Sequence, residues 1–530
     1  MMDSKWFLLL LGALAIVSIG GQYISTEDKA SWGNMAKYDI HRALKVQQNT
    51  RKAKNVILFV GDGMGLSTVT ASRILEKGEK GFLAFEKLPH IGVLKTYSAN
   101  KLVPDSMATA TALFTGVKTN QRTGGVDATV QQNDCPRSLL PETRLESFFT
   151  WAQRAKMSTG FVTTTRVTHA TPAALYAHTA SRYWECEATM PPNATQCKDI
   201  ARQLIEDMPG KNINVIMGGG RQMLQSNAVN RTKDFVDTWA CYSRDGRQLI
   251  NGWVSDKMTR NVSHQFLENS SDIEKMKITD YTLGIFANGH MNMEHERDKG
   301  HGGMPSLSYM TEAAIKLLEK RNTGYVLLVE GGLIDYGHHR GKAKKALGET
   351  ISFSEAISKA MAMVNLEETL IIVTSDHGHP MVIAGYADRD QKITGIAGNS
   401  KIDGIPYTSL LYGIGGPNNY KYQIINETVF REDPERIDTD DFDYSQQAGV
   451  RTHEVPHDGT DVLVYAQGPM AHLFHTVHEQ TYVAYVIAYA AQIGPYAHLA
   501  DAVQNHANWK SVGNNTHLLA VFLLYLNWRQ

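Results

Sequence analysis

The chain has no Cys-x-x-Cys pair, and its four cysteines, Cys135, Cys186, Cys197 and Cys241, lie far apart. A cysteine-bound zinc site is therefore not expected. No Gly-x-Ser-x-Gly occurs, so the serine elbow of a hydrolase triad is not indicated. An excess of either charge is also missing: 53 Lys and Arg face 54 Asp and Glu, and the net charge is −1. No global field points to nucleic acid or to an acidic partner.

Apolar runs at the two ends carry targeting information. After Lys5, the run Trp6–Ile19 ends in Gly20-Gly21, and residues 1–21 read as a secretory signal peptide. An uncleaved membrane anchor is the alternative. Four cysteines in a secreted chain imply two disulfides, with three pairings open on spacing alone. Glycosylation sequons start at Asn193, Asn230, Asn261, Asn269, Asn426 and Asn514. Residues 506–530 place a polar, small-residue spacer before an apolar tail, as in a lipid-anchor signal. A last core strand or helix is the alternative. Together these features predict a protein on the outer face of the plasma membrane or secreted.

At 530 residues the chain is long enough for a large core. Residues 22–50 read as a helical arm. The body is read as residues 51–384 and 446–505, interrupted by a loop-rich insertion at 385–445, where apolar runs are short. Residues 221–300 read as polar helices and loops. Within the body, apolar strands end abruptly at glycine and acid. Asn55–Val60 runs into Gly61-Asp62-Gly63, Val326–Val329 into Glu330-Gly331-Gly332 with Asp335, His338 and His339 just beyond, and Thr369–Val373 into Asp376-His377. Such strand ends gather along one edge of a mostly parallel sheet flanked by helices, the α/β class expected here. Unpaired, these carboxylates would repel one another and be costly to bury, and divalent cations are the natural compensation. Carboxylate with imidazole suits zinc, and oxygen-only sets suit magnesium. Ser106 opens a small-residue helical segment, where the helix N-terminus favours an adjacent anion. Arg182 has the fork geometry for phosphate.

Asp62-Gly63-Met64-Gly65, Pro104–Thr111, Thr163–Pro172, Glu330–His339 and Thr374–His377 closely resemble the segments of alkaline phosphatases. The animal membrane-anchored type is the nearest match, with insects as the source most resembled. The resemblance spans about residues 30–505. It implies a phosphomonoesterase active at alkaline pH, with two zinc ions, one magnesium ion and a phosphoserine intermediate on Ser106. One zinc would be held by Asp335, His339 and His457, and the other by Asp62, Asp376 and His377. Magnesium would take Asp62, Thr171 and Glu330, with His169 nearby, and Arg182 would clamp phosphate. His457 is preferred to His453 because His457-Asp458-Gly459-Thr460-Asp461-Val462 fits the family pattern. His338 is then a neighbour.

By family position Cys135 pairs with Cys197, leaving Cys186 for Cys241. The insertion resembles the family's crown, which implies a homodimer with the arm reaching across. Mammalian relatives hold calcium with an acid after Leu-Phe. Here Ala287 and Asn288 follow Phe286, so a calcium site is not expected. A sulfatase is excluded because Met107-Ala108-Thr109 follows Ser106 in place of x-Pro-x-Arg. Thr171, Glu330 and Arg182 argue against a phosphodiesterase. A non-catalytic surface glycoprotein would be indicated by a missing ligand, and none is missing.

Overall fold

The computed structural model describes residues 28–499. The signal-peptide and lipid-anchor segments, with the sequon at Asn514, lie outside the described residues. Two compact units divide the chain before Gln48. The first contributes one helix, Lys29–Leu44, whose cap Asp28 accepts the Ser31 amide at 2.8 Å and whose residues are all unburied.

The second unit is built on a ten-stranded sheet. Its strands, in chain order, include β1 (Asn55–Gly61), β2 (His90–Lys95), β3 (Ser158–Arg166), β4 (Val215–Gly219), β5 (His264–Leu267), β6 (Tyr281–Ile285), β7 (Tyr325–Gly331) and β8 (Thr369–Ser375). The segment that follows adds short strands: β9 (Met381–Ile383), β10 (Ile396–Asn399), β11 (Pro406–Thr408), β12 (Leu410–Gly415), β13 (Tyr422–Ile425), β14 (Thr428–Arg431) and β15 (Ala448–Arg451). The main sheet is completed by β16 (Val462–Gln467) and β17 (Thr476–Glu479), in the order β17-β2-β16-β8-β1-β7-β3-β4-β6-β5. Only the two pairings of β16 are antiparallel.

Strands β1, β7 and β8 are buried along nearly their whole length, because helices cover both faces of the sheet. Alternate residues of β1 divide between two cores. Val56, Leu58 and Val60 join the side with Met107, Ala110 and Phe114, and Ile57 and Phe59 join the side with Phe353 and Ile357. On the second side the helices Leu307–Leu318 and Ala343–Met363 pack against the sheet. Ser306 caps the first of these by accepting the Tyr309 amide at 3.1 Å.

Two differences from the sequence reading have physical causes. Residues 221–300 contain β5 and β6. Both are short, and β6 contains Gly284, so neither stood out as a strand. The segment 385–445 holds real strands. Its β12 pairs with β9 and β15, which flank it on either side. The disulfides are Cys135–Cys197 and Cys186–Cys241, as the resemblance implied.

Candidate active site

The register aligns the strand ends that carry the polar groups. Gly61 of β1 stands opposite Gly331 of β7 and Ser375 of β8, and Thr163 of β3 opposite Glu330. Asp62, Glu330 and Asp376 therefore leave neighbouring strands at one edge. Gly63, with φ +68, turns the chain beside Asp62, and its amide donates to Asp376 Oδ1 at 3.0 Å.

Three more segments close on this edge. Asp105 caps the helix Ser106–Thr115, which puts Ser106 in its first turn. Ser106 is buried, with Oγ 3.4 Å from Asp62 Oδ1 and 3.2 Å from His377 Nε2. The helix Leu333–His339 follows β7 and presents Asp335 and His339 on one face, with His339 Nε2 3.2 Å from Asp335 Oδ2. After β3 the short helix Ala170–Ala173 buries Thr171 just beyond His169. His457 completes the ring, its Nε2 3.0 Å from His339 Nε2 and 3.4 Å from Asp335 Oδ1. His453 instead lies at the surface, 3.2 Å from Glu454.

The donor atoms fall into three groups, each within 4.8 Å: Asp335, His339, His379 and His457; Asp62, His169 and Glu330; and Asp62, Asp335 and His377. Asp376 Oδ2 lies 3.2 Å from His377 Nε2. Asp62, Ser106, His169, Glu330, Asp335, His339, Asp376, His377 and His457 are thus drawn to one place. His379 was missed. Its Nε2 lies 3.1 Å from Asp335 Oδ1, although Gly378 separates it from His377 and no motif marks it. The only signal was a second histidine two residues beyond the first. His338 points its nitrogens at Thr68 Oγ1 (2.9 Å) and the Tyr412 hydroxyl (2.7 Å).

Hydrogen bonds behind the cluster fix how the histidines point. His339 Nδ1 donates to Val455 O at 2.7 Å and His457 Nδ1 to Pro104 O at 2.9 Å, which aims each Nε2 at Asp335. Burial, followed by the neighbouring Asp376, Asp335 and Glu330, pushes Asp62 well above the usual carboxylate range. Burial raises Glu330 to about 7 and Asp376 to about 6. Burial opposes ionisation of Asp335 too, but His339 and the surrounding imidazoles hold it well below. Burial keeps His377 and His169 neutral. Asp62 Oδ2, Glu330 Oε1, Thr171 Oγ1 and His169 Nδ1 are buried without a hydrogen-bond partner. Crowded carboxylates, neutral imidazoles and buried donor atoms without partners are the features of a polynuclear cation site.

Arg182 stands beside the cluster, Nη1 3.0 Å from Asp105 Oδ2 and Nη2 3.2 Å from His169 Nε2. Both lie on a cleft of about 450 Å³ that reaches His339 and His457. Sequence reasoning also missed Arg166, whose guanidinium forks onto the buried Glu185 at 2.7–3.2 Å. The pair is separated by an intervening helix and loop, which hides it in the sequence.

The family profile described as alkaline phosphatase matches residues 53–493. The chain is 42% identical over 506 residues to the tissue-nonspecific alkaline phosphatase isozyme of Felis catus, covering 93% of this chain and 94% of that protein. It is 42% identical over 476 residues to alkaline phosphatase of Gadus morhua, covering 87% and 97%. Among solved structures, Thermus thermophilus alkaline phosphatase superposes with a TM-score of 0.59 at 22% identity, covering 84% of this chain and 92% of that one, which shows a shared fold.

Proposed function

The chain belongs to the alkaline phosphatase family, and from this we propose that it hydrolyses phosphate monoesters at alkaline pH by way of a phosphoserine on Ser106. The observation that carries the reading is Ser106 Oγ, set at a helix start within 3.4 Å of Asp62 and 3.2 Å of His377, next in the chain to Asp105, which pairs with Arg182.

Asp335, His339 and His457 would hold one zinc, and Asp62, Asp376 and His377 the other. Asp62, Thr171 and Glu330 would hold magnesium, with His169 alongside. The partnerless buried oxygens of Asp62, Glu330 and Thr171 and the neutral imidazoles of His377 and His169 fit such ions. His379 lies with this set, its Nε2 3.1 Å from Asp335 Oδ1. When bound, the metals supply Lewis acidity, which lowers the proton affinity of hydroxyl and water and offsets phosphate charge.

The chain's own groups do the positioning. Arg182 donates to two non-bridging oxygens of the substrate while Asp105 holds it from behind. Ser106 gives its proton to solvent, its Oγ bonds to phosphorus, and the P–O bond to the ester oxygen breaks, the alcohol leaving once it has taken a proton from solvent. The helix N-terminus favours the negative charge that gathers there. Water then cleaves the phosphoserine, returning the serine and inorganic phosphate.

We read the enzyme as an animal one of the insect type, entering the secretory pathway through residues 1–21 and held on the outer face of the plasma membrane by a lipid added near 506–530. No helix among the described residues is long and apolar enough to cross a membrane. Its domains are read as an arm at 22–50, a catalytic body at 51–384 and 446–505, and a crown at 385–445. The crown and the arm would form a homodimer. The test is phosphate release from p-nitrophenyl phosphate between pH 7 and 11, with zinc and magnesium supplied. Wild type should turn over at high pH, and Ser106→Ala should lose at least about 10³-fold. No wild-type turnover, or full activity in the alanine variant, would defeat the reading.

A further inference from the structure

Three histidines gather between β2 and β17, away from the catalytic cluster. His90 opens β2, and His472 and His475 lie on the 3-10 turn Ala471–Phe474 and its cap, just before β17. A 3-10 helix has three residues per turn, so side chains at i and i+3 stack on one side. His472 and His475 have that spacing, and the His475 amide donates to the His472 carbonyl at 3.3 Å. The parallel pairing of β17 with β2, Thr476 opposite Gly92, sets the turn beside His90.

His90 Nδ1 lies 2.9 Å from His475 Nε2, with the ring centres 4.9 Å apart. The His472 ring centre is 6.3 Å from that of His90, and its Nδ1 is buried with no hydrogen-bond partner. Two imidazole nitrogens that bind one zinc at about 2.0–2.1 Å stand roughly 3.3 Å apart in tetrahedral geometry. His339 and His457, proposed above to share a zinc, converge in the same way, Nε2 to Nε2 at 3.0 Å. A plain hydrogen bond between two neutral rings accounts for His90 and His475 but leaves the buried His472 nitrogen without a purpose.

No acid takes part in this group. The charged groups acting on His90 are His475 and His472 alone, and His475 alone acts on His472. Burial, with the repulsion of these two rings, holds His90 down at about 4, so it is neutral and free to bind a metal. Imidazoles without carboxylates suit zinc, copper or nickel and not magnesium or calcium. His475 is exposed, which gives an ion a path from solvent and leaves room for a water ligand. Through β16, His90 lies level with Ile372 of β8, two strands away and four residues short of Asp376. That spacing amounts to roughly 16 Å from the catalytic cluster.

We propose that His90, His472 and His475 form a further transition-metal site, for Zn²⁺, which pins the turn ahead of β17 to β2. Strand β17 is the outermost of the sheet and pairs only with β2, so an ion here clasps an edge that backbone bonds hold from one side. The site does not depend on Ser106 being the nucleophile.

The test counts zinc in the full chain after dialysis against graded zinc buffers with magnesium present. Wild type should hold one zinc per chain more than His475→Ala or His90→Gln, and His472→Ala should hold that zinc more weakly. All three variants should keep kcat/KM for p-nitrophenyl phosphate within about twofold, because they touch nothing in the catalytic cluster. The added ion should raise the wild-type thermal midpoint by about 2 °C at zinc about a hundredfold above its dissociation constant, with no response in His475→Ala. His475 is exposed, so its replacement disturbs no core. Equal zinc counts in wild type and His475→Ala would overturn the site. Unchanged zinc affinity in His472→Ala would overturn the three-imidazole set. A zinc loss matched by a loss of turnover would put the missing ion in the catalytic cluster and overturn the site as well.

Discussion

Glu349 offers a sharp test of how burial sets the pH response of this fold. It lies in the helix Ala343–Met363, almost wholly buried, and accepts the Glu294 amide at 2.6 Å. Burial raises its pKa from 4.5 to about 8, and the nearby Glu294 and Glu296 add to the effect. Between those two values the folded chain keeps a proton that the unfolded chain releases. The side chain's favourable contribution is therefore complete below about pH 4.5 and is lost as pH rises towards 8. At about 1.4 kcal/mol per unit, the ceiling is roughly 5 kcal/mol of lost stability on the alkaline side. Glu349→Gln keeps an oxygen to accept the Glu294 amide and has no charge to bury. Its thermal midpoint should pull ahead of wild type between pH 5 and 9, by up to about 5 °C. Scans at a fixed rate, with zinc and magnesium in the same excess throughout, would measure this. A difference that does not change with pH, or one that shrinks as pH rises, would refute the argument.

Other perturbations act on the site directly. Arg182→Ala should raise KM for p-nitrophenyl phosphate by about 10- to 100-fold, because a charged, two-pronged contact is lost and Asp105 is left buried without its charged partner; an unchanged KM would remove Arg182 from the phosphate. Gly337→Ala would put a methyl 2.7 Å from the Ala346 backbone nitrogen. It should shift the helix carrying Asp335 and His339, cost about 1–3 kcal/mol in urea unfolding and lower kcat. Chelation should lower the thermal midpoint as well as abolish turnover, because Asp62, Glu330 and Asp376 then stay crowded without cations; restoring zinc and magnesium should recover both readouts.

Much of this arrangement could be read from sequence because the relevant signals are local. Apolar runs ending in glycine and acid mark β1, β7 and β8, and the acids at their ends meet because parallel strands share a direction. Ser106 was legible from the small residues after it, although the cap of its helix is Asp105. Where the signal depends on the third dimension, the sequence is silent. Arg166 and Glu185 meet only after the chain has looped back, and His379 looks like any polar residue beyond a glycine. Strand β5 lacks a long apolar run because it lies at the edge of the sheet, and β6 because it is short and broken by Gly284. Deciding between His453 and His457 needed a motif, and the geometry separates them by placing only His457 beside Asp335.

The Cys186–Cys241 bridge joins two parts of the binding face. Cys186 directly follows Glu185, in the stretch that carries Arg182, and Cys241 ends the loop that presents Trp239. Without the sulfur link, the segment that carries Arg182 and the loop that carries Trp239 are joined covalently only through the long stretch of chain between them. Thiols stay reduced in the cytosol and oxidise in the secretory lumen. A chain that folds completely but is never oxidised would carry the catalytic cluster with an unfastened rim. Were the chain to enter the secretory pathway, as proposed, the oxidising compartment it crossed would complete this face, and a change in redox balance there would bear on the spacing of the two segments before it bore on the cluster.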